Sequence, residues 1–144
     1  MSRGFFAIGS EFFSYHCNVG TLFRSAYSFG AQYVFSIGHK PDFRGDVPKS
    51  YKHIPYFKYN SNEQFFENIP KSTALIGVEL GGTDIKKISH PERAIYILGN
   101  ESFGLSEEMK ERCAQIITIP GNFCLNVSVA GSIVMYDRML KAQK

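Results

Sequence analysis

Three clusters in this chain combine residue types and spacings that could do chemistry. In the first, Asn18-Val19-Gly20 is followed by Arg24 and then Phe29-Gly30. That places an arginine one turn into a helix, near its N-terminus, where the guanidinium fork can meet a phosphate. The second runs Leu98-Gly99-Asn100-Glu101-Ser102-Phe103-Gly104-Leu105-Ser106-Glu107-Glu108. Two glycines around a glutamate allow backbone to come close to a ligand. The third, Ile119-Pro120-Gly121-Asn122-Phe123-Cys124-Leu125-Asn126-Val127-Ser128-Val129-Ala130, is a turn feeding a helix start dense in hydrogen-bonding side chains. Each also has a purely structural reading: helix capping by Asn18, a glycine-rich turn, and helix capping by Asn126.

Other chemistries lack their signatures. The glycine fingerprints GxGxxG and GxxxxGK[ST] are absent, so a dinucleotide or P-loop site has no support. His16-Cys17 could ligate a metal, but no second pair at ligand spacing accompanies it, and no metal is expected. A serine triad lacks the G-x-S-x-G elbow. Cys17, Cys113 and Cys124 form no CxxC and leave an odd thiol, which points to a reducing compartment and a cytoplasmic location. Asn100-Glu101-Ser102 and Asn126-Val127-Ser128 match the glycosylation sequon; with no secretory signal they read as chance matches.

The elements that must position the three clusters alternate strand and helix. Phe5–Ile8, Tyr33–Ile37, Ala74–Leu80, Ala94–Leu98 and Ile116–Ile119 read as strands. Helical patterns begin at Asn18 and about Asn126, with shorter ones at Asn62–Asn68 and after Ser106. In the last helix Val129, Ile133, Tyr136 and Leu140 share one face, and Ala130, Gly131 and Ser132 keep a neighbouring face small. The alternation predicts an α/β domain with a mainly parallel sheet flanked by helices. Ligands in such sheets sit at the carboxyl ends of strands. Gly81-Gly82-Thr83, Gly99-Asn100-Glu101 and Pro120–Asn126 all follow predicted strands.

At 144 residues the chain fits one domain. No run approaches the ~18 apolar residues of a membrane span. The whole net charge of +3 lies in one segment, His39–Asn62, with Lys40, Arg44, Lys49, Lys52 and Lys58 against Asp42 and Asp46. Its prolines and missing apolar period predict a long loop. Tyr51, Tyr56, Phe57 and Tyr59 interleave with the cations, a composition suited to phosphates and unpaired bases. His53 reads as structural.

Taken in order, the three clusters resemble the SpoU (TrmH-like) family of SPOUT-class RNA methyltransferases. The N-x-G…R…FG motif is matched by Asn18, Gly20, Arg24, Phe29 and Gly30. The G-x-E…G-L-S motif is matched by Gly99, Glu101, Gly104, Leu105 and Ser106. The I-P…L-N-V-S-x-A motif is matched by Ile119, Pro120, Leu125, Asn126, Val127, Ser128 and Ala130. The match covers nearly the whole chain and implies a single SpoU-type domain over residues 1–144, with a C-terminal deep trefoil knot threaded from Ala94 onward. It also implies S-adenosylmethionine as cofactor, methylation of a ribose 2′-hydroxyl in tRNA or rRNA, and a homodimer.

Carried over by position, the resemblance puts the cofactor against Val78, Gly99, Ile119 and Leu125. Arg24 would face the target ribose or its phosphate, positioned by Asn18, Glu101, Asn126 and Ser128. Arginine is a costly base, with a pKa above ~12, so holding the phosphate and stabilising the developing alkoxide suits it better. Lys49, Lys52 and Lys58 would join Arg24 in binding RNA. Only Gly121–Cys124 separate the two halves of the third motif, where family members often have a longer stretch. Some members also carry an extra N-terminal RNA-binding domain that this sequence lacks. Base methylation on the same scaffold and a non-catalytic RNA-binding member are the alternatives.

Overall fold

The structure, a computed structural model, describes residues 4–13, 16–38, 52–122 and 125–142. Its elements run β1 (Phe5–Glu11), α1 (His16–Phe29), β2 (Val34–Ile37), β3 (Tyr56–Tyr59), α2 (Asn62–Glu67), β4 (Ala74–Asp84), β5 (Arg93–Leu98), α3 (Glu107–Arg112), β6 (Gln115–Thr118) and α4 (Val127–Ala142), with a 3-10 turn at Ile85–Lys87. The strands form one sheet in the order β3-β2-β1-β5-β4-β6. Every pairing is parallel. No described helix is long and apolar enough to cross a membrane.

β1 and β5 lie at the centre, and their near-continuous apolar runs follow from burial on both faces. Alternate residues feed two cores. Phe6, Ile8, Tyr96 and Leu98 pack with Leu22, Phe23 and Ala26 of α1 and Val134 and Met135 of α4. Ala7, Ile95 and Ile97 pack with Phe65 of α2 and Met109 of α3.

Two sequence expectations change, and the direction of the α4 stripe is added. The basic segment is not all loop: Tyr56–Tyr59 pairs with β2 as an edge strand. Gly81-Gly82-Thr83 is not a turn after β4 but part of it. The strand runs on to Asp84 through an irregularity between Val78 and Thr83, where its register to β6 shifts. In α4 the side chains that face inward are Val127, Ser128, Gly131, Val134, Met135 and Arg138. The apolar stripe Val129, Ile133, Tyr136 and Leu140 is exposed instead. The reason is helix–helix contact: a Cβ on Gly131 would lie 2.9 Å from Leu22, 3.1 Å from Leu98 and 3.3 Å from Ile8. The Ser132 and Ser25 hydroxyls share a hydrogen bond at 2.7 Å. Small residues let α4 lie close on α1 and the sheet, and the larger ones turn outward.

The far end of α4 is tied down by polar groups. Arg138, 5% exposed, donates to the Pro91 and Glu92 carbonyls at 2.7 and 2.8 Å. Lys141 donates to the carbonyls of Ile85 and Ile88. Between them lies His90, whose side chain is 4% exposed, with Nδ1 2.6 Å from the Tyr96 hydroxyl and Nε2 2.6 Å from Asp137. A neutral imidazole satisfies the whole chain: Arg138 donates to Tyr96, Tyr96 to Nδ1, and Nε2–H to Asp137, which also accepts from Lys141.

Two predictions follow from this packing. Burial pushes the His90 pKa below its ordinary 6.5, against the opposing pull of Asp137. The unfolded chain thus takes up a proton more readily than the folded one. The stabilisation is complete above about pH 6.5 and declines as pH falls through the lowered value. Urea midpoints should drop between pH 7.5 and 5.5, and His90→Gln should reduce that drop; an equal drop in the variant contradicts this role. Gly131→Val should cost about 1–3 kcal/mol by overpacking, despite the better helix propensity of valine. Urea unfolding measures it, and an unchanged midpoint counts against the tight α1–α4 contact.

Candidate active site

A cavity of about 290 Å³ opens at the carboxyl ends of β4, β5 and β6. Its walls come from Val78 to Leu80 on β4, Leu98 to Gly104 after β5, Thr118 and Ile119 after β6, and Leu125, Val127 and Ala130 at the start of α4. Val78, Gly99, Ile119 and Leu125, separated by up to 47 positions in sequence, all line it. The walls combine aliphatic side chains with the residues of the 99–104 turn. A second cavity, on α2 and α3, is lined by Glu63, Glu67 and Glu108 with Phe66 and Arg112. Its three carboxylates make it a poor host for a phosphate.

The turn after β5 is rigid. Asn100 and Gly104 exchange backbone hydrogen bonds at 3.1 and 2.9 Å. The Asn100 side-chain oxygen accepts from Ser102 and Phe103 amides, and its Nδ2 donates to the Phe12 carbonyl at the end of β1. The glycines act within the turn itself. A Cβ on Gly99 would sit 2.5 Å from the Gly104 carbonyl carbon and 2.6 Å from the Leu105 nitrogen. Gly104 has φ +71 and leaves room for the Glu79 carboxylate, which accepts from the Leu105 amide at 2.6 Å. The sequence predicted close approach of a ligand; the structure shows close approach of the loop to itself, which fixes the shape of the wall.

Two carboxylates missed in the sequence reading hold this wall in place. Glu79 is one. Glu11 is the other, 1% exposed at the end of β1. It accepts from the Ser106 amide and hydroxyl at 2.7 and 2.5 Å and from Asn62 Nδ2 at 2.7 Å. Ser106 in turn caps α3, accepting from the Met109 amide. The available signal was a glutamate closely following each of two apolar runs.

Of the remaining predicted residues Glu101 lines the cavity, Asn126 and Ser128 adjoin it, and the other described ones lie elsewhere. Asn126 precedes α4 and its Oδ1 accepts from the Ser128 and Val129 amides at 2.9 and 3.3 Å, the capping geometry. Ser128 is buried, and its carbonyl accepts from Ser132, which joins α4 to Ser25 of α1. Glu101 is half-buried in the cavity wall. Arg24 is exposed on α1, beside Ser25, and is not among the residues that line the cavity. Asn18 lies within the first turn of α1 rather than ahead of it; its side chain lies outside the described residues. Lys52 and Lys58 are exposed, while Lys40, Arg44 and Lys49 lie outside the described residues. Tyr56 and Tyr59, expected to be open to bases, pack on the body: Tyr56 against Phe23 and Ser36, Tyr59 against Phe35 and Phe65. Among the described residues no group of three or more His, Cys, Asp or Glu is placed to hold a metal ion.

Comparison with known proteins agrees with this architecture. An uncharacterized tRNA/rRNA methyltransferase from Archaeoglobus fulgidus is 29% identical over 130 residues, covering 83% of this chain and 57% of the relative. The chain thus spans little more than half the length of that relative. The SpoU methyltransferase AviRb from Streptomyces viridochromogenes, solved in complex with the cofactor AdoMet, superposes with a TM-score of 0.89 at 20% identity, covering 98% of this chain and 59% of that one. A protein solved for insight into the 2-OH methylation of C/U34 on tRNA superposes with a TM-score of 0.88 at 19% identity, over 98% of both chains. These likenesses establish the fold, a parallel α/β sheet of the SpoU type. Residues 8–136 match the SpoU rRNA Methylase family as a whole, and the chain belongs to that family.

Proposed function

We propose that this protein transfers a methyl group from S-adenosylmethionine to a ribose 2′-hydroxyl of tRNA or rRNA, in the cytoplasm, with residues 1–144 acting as one SpoU-type domain. The observation that carries the reading is the single cavity lined by Val78, Gly99, Ile119 and Leu125. Its volume is near the lower end of the ~300–1,000 Å³ typical of small-molecule sites. Aliphatic side chains in its walls suit an adenine face. Glu101 has the right sign for a ligand bearing a sulfonium and an ammonium. Bound there, the cofactor would supply an electrophilic methyl group.

The chain's own residues do the positioning. Transfer from a sulfonium depends on in-line alignment more than on acid–base help. Arg24 would hold the phosphate and stabilise the developing alkoxide. Asn126 and Ser128 would set the start of α4 that faces the nucleotide, Asn126 through its cap. Lys52 and Lys58, with Lys49, would attract the RNA backbone. The family's knot fits an α4 that follows the edge strand β6 yet returns to pack on α1 beside the sheet centre. The 2-OH methylation of C/U34 on tRNA, for which a neighbour of matching length was solved, favours ribose and tRNA.

A homodimer completes the reading. Val129, Ile133, Tyr136, Met139 and Leu140 form an exposed apolar stripe along α4. The stripe begins beside Val127 and Ala130, which line the cavity. A second copy seated on it would cover the apolar surface. It is also the simplest way to bring an Arg24 to a cavity that the same chain's Arg24 does not line.

Nucleoside mass spectrometry after reaction with tRNA and rRNA tests the chemistry: a 2′-O-methyl nucleoside is expected, whereas a methylated base points to the same scaffold doing base chemistry. Arg24→Ala should leave cofactor binding within about twofold and lower methyl transfer by 10²-fold or more, roughly the loss of one charge-stabilising donor. Retained activity removes Arg24 from the mechanism. Ile133→Glu with Tyr136→Glu should convert a dimer to monomers in sedimentation equilibrium and abolish transfer; a wild-type monomer contradicts the dimer.

A further inference from the structure

Tyr27 of α1 and His53, just before β3, stack in the open. Their ring centroids are 5.2 Å apart with an interplanar angle of 22°. Tyr27 is 53% exposed and His53 is also exposed. The pair is nonetheless anchored. Ile54, next to His53, is 5% exposed in the core, the Pro55 carbonyl accepts from the Val34 amide, and Tyr56 packs on Phe23 of α1 at 5.7 Å. The backbone that follows His53 is therefore positioned, and Tyr27 stands on a packed helix, so the stack projects from an anchored surface.

Its neighbours carry one sign. Arg24 precedes Tyr27 by three residues on α1, the spacing of adjacent side chains on a helix surface. Lys52 adjoins His53. Lys58 alternates with Phe57 along β3 and so shares the sheet face of Tyr56, the face that carries α1. All three cations are exposed. Fixed aromatic rings flanked by solvated cations are what a single-stranded nucleic acid recognises: bases stack on the rings and phosphates meet the charges. A duplex hides its base faces and gains only the charges.

We propose that Tyr27 and His53 form a stacking ledge for an unpaired nucleobase of the RNA, next to the nucleotide held by Arg24. The proposal rests on the RNA-methyltransferase reading and sharpens it: the substrate presents at least two adjacent unpaired nucleotides, as in a loop or a single-stranded segment.

Fluorescence anisotropy with a 12-nucleotide single-stranded RNA, and with the same strand paired to its complement, tests it at pH 8. Tyr27→Ala with His53→Ala should weaken single-strand binding about tenfold, the loss of one base–aromatic stack, and leave duplex binding unchanged. The slope of affinity against salt should stay as in the wild type, since no cation is removed. Tyr27→Phe with His53→Phe should bind like the wild type, and both variants should keep wild-type affinity for S-adenosylmethionine. If the alanine pair does not fold, His53→Ala alone, at an exposed position, gives the same decision. Unchanged single-strand affinity, an equal loss for duplex, or failure of the phenylalanine pair would overturn the ledge. A wild-type protein that binds S-adenosylmethionine but neither RNA overturns the RNA reading itself, an outcome distinct from failure of the ledge alone.

Discussion

The geometry of the candidate site depends on how closely the turn after β5 folds back on itself. With a hydrogen in place of a side chain, Gly99 lets the Gly104–Leu105 backbone pass within contact distance. The Glu79 carboxylate then takes the Leu105 amide, a group that would cost about 1–3 kcal/mol if buried without a partner. Asn100 closes the same turn from its other side and ties it to the end of β1. Three strands thereby share one rigid wall. The cavity exists because that wall stops short of β6 and the start of α4.

The same economy of small residues governs α4. Ser128, Gly131 and Ser132 face α1 and the sheet, so the helix lies close to both, with its first turn at the cavity. Arg138, Lys141 and His90 secure its other end to the segment between β4 and β5. A helix fixed at both ends and packed through its small side can leave its large apolar side for another surface. The small side of the helix thus carries the packing, and the large apolar side stays exposed.

Much of this was legible in the sequence. Alternating strand and helix patterns gave the sheet, the Ser106 cap gave α3, and the three motifs gave the family and the positions that line the cavity. Helical periodicity identified the Val129–Ile133–Tyr136–Leu140 stripe but not its direction, because a pattern of spacing does not say which face meets the core. Edge strand β3 was missed because prolines and charges mask four residues of pairing. Glu11 and Glu79 were missed because a carboxylate that follows an apolar run gives no sign of which amide it will meet across the fold. Asn126 is expected to position the nucleotide; its Oδ1 caps α4, the structural reading that the sequence also carries.

The central claim is that the cavity beside Gly99 is a cofactor site whose shape depends on that glycine. Isothermal calorimetry of S-adenosylmethionine with the wild type and with Gly99→Ala tests it most directly, with circular dichroism confirming that both are folded. The account predicts one cofactor bound per chain in the wild type, and binding lost or weakened at least tenfold in the variant, whose added Cβ would meet the Gly104 backbone at 2.5 Å. A folded wild type that binds no S-adenosylmethionine, or a Gly99→Ala variant that binds it equally well, would contradict it.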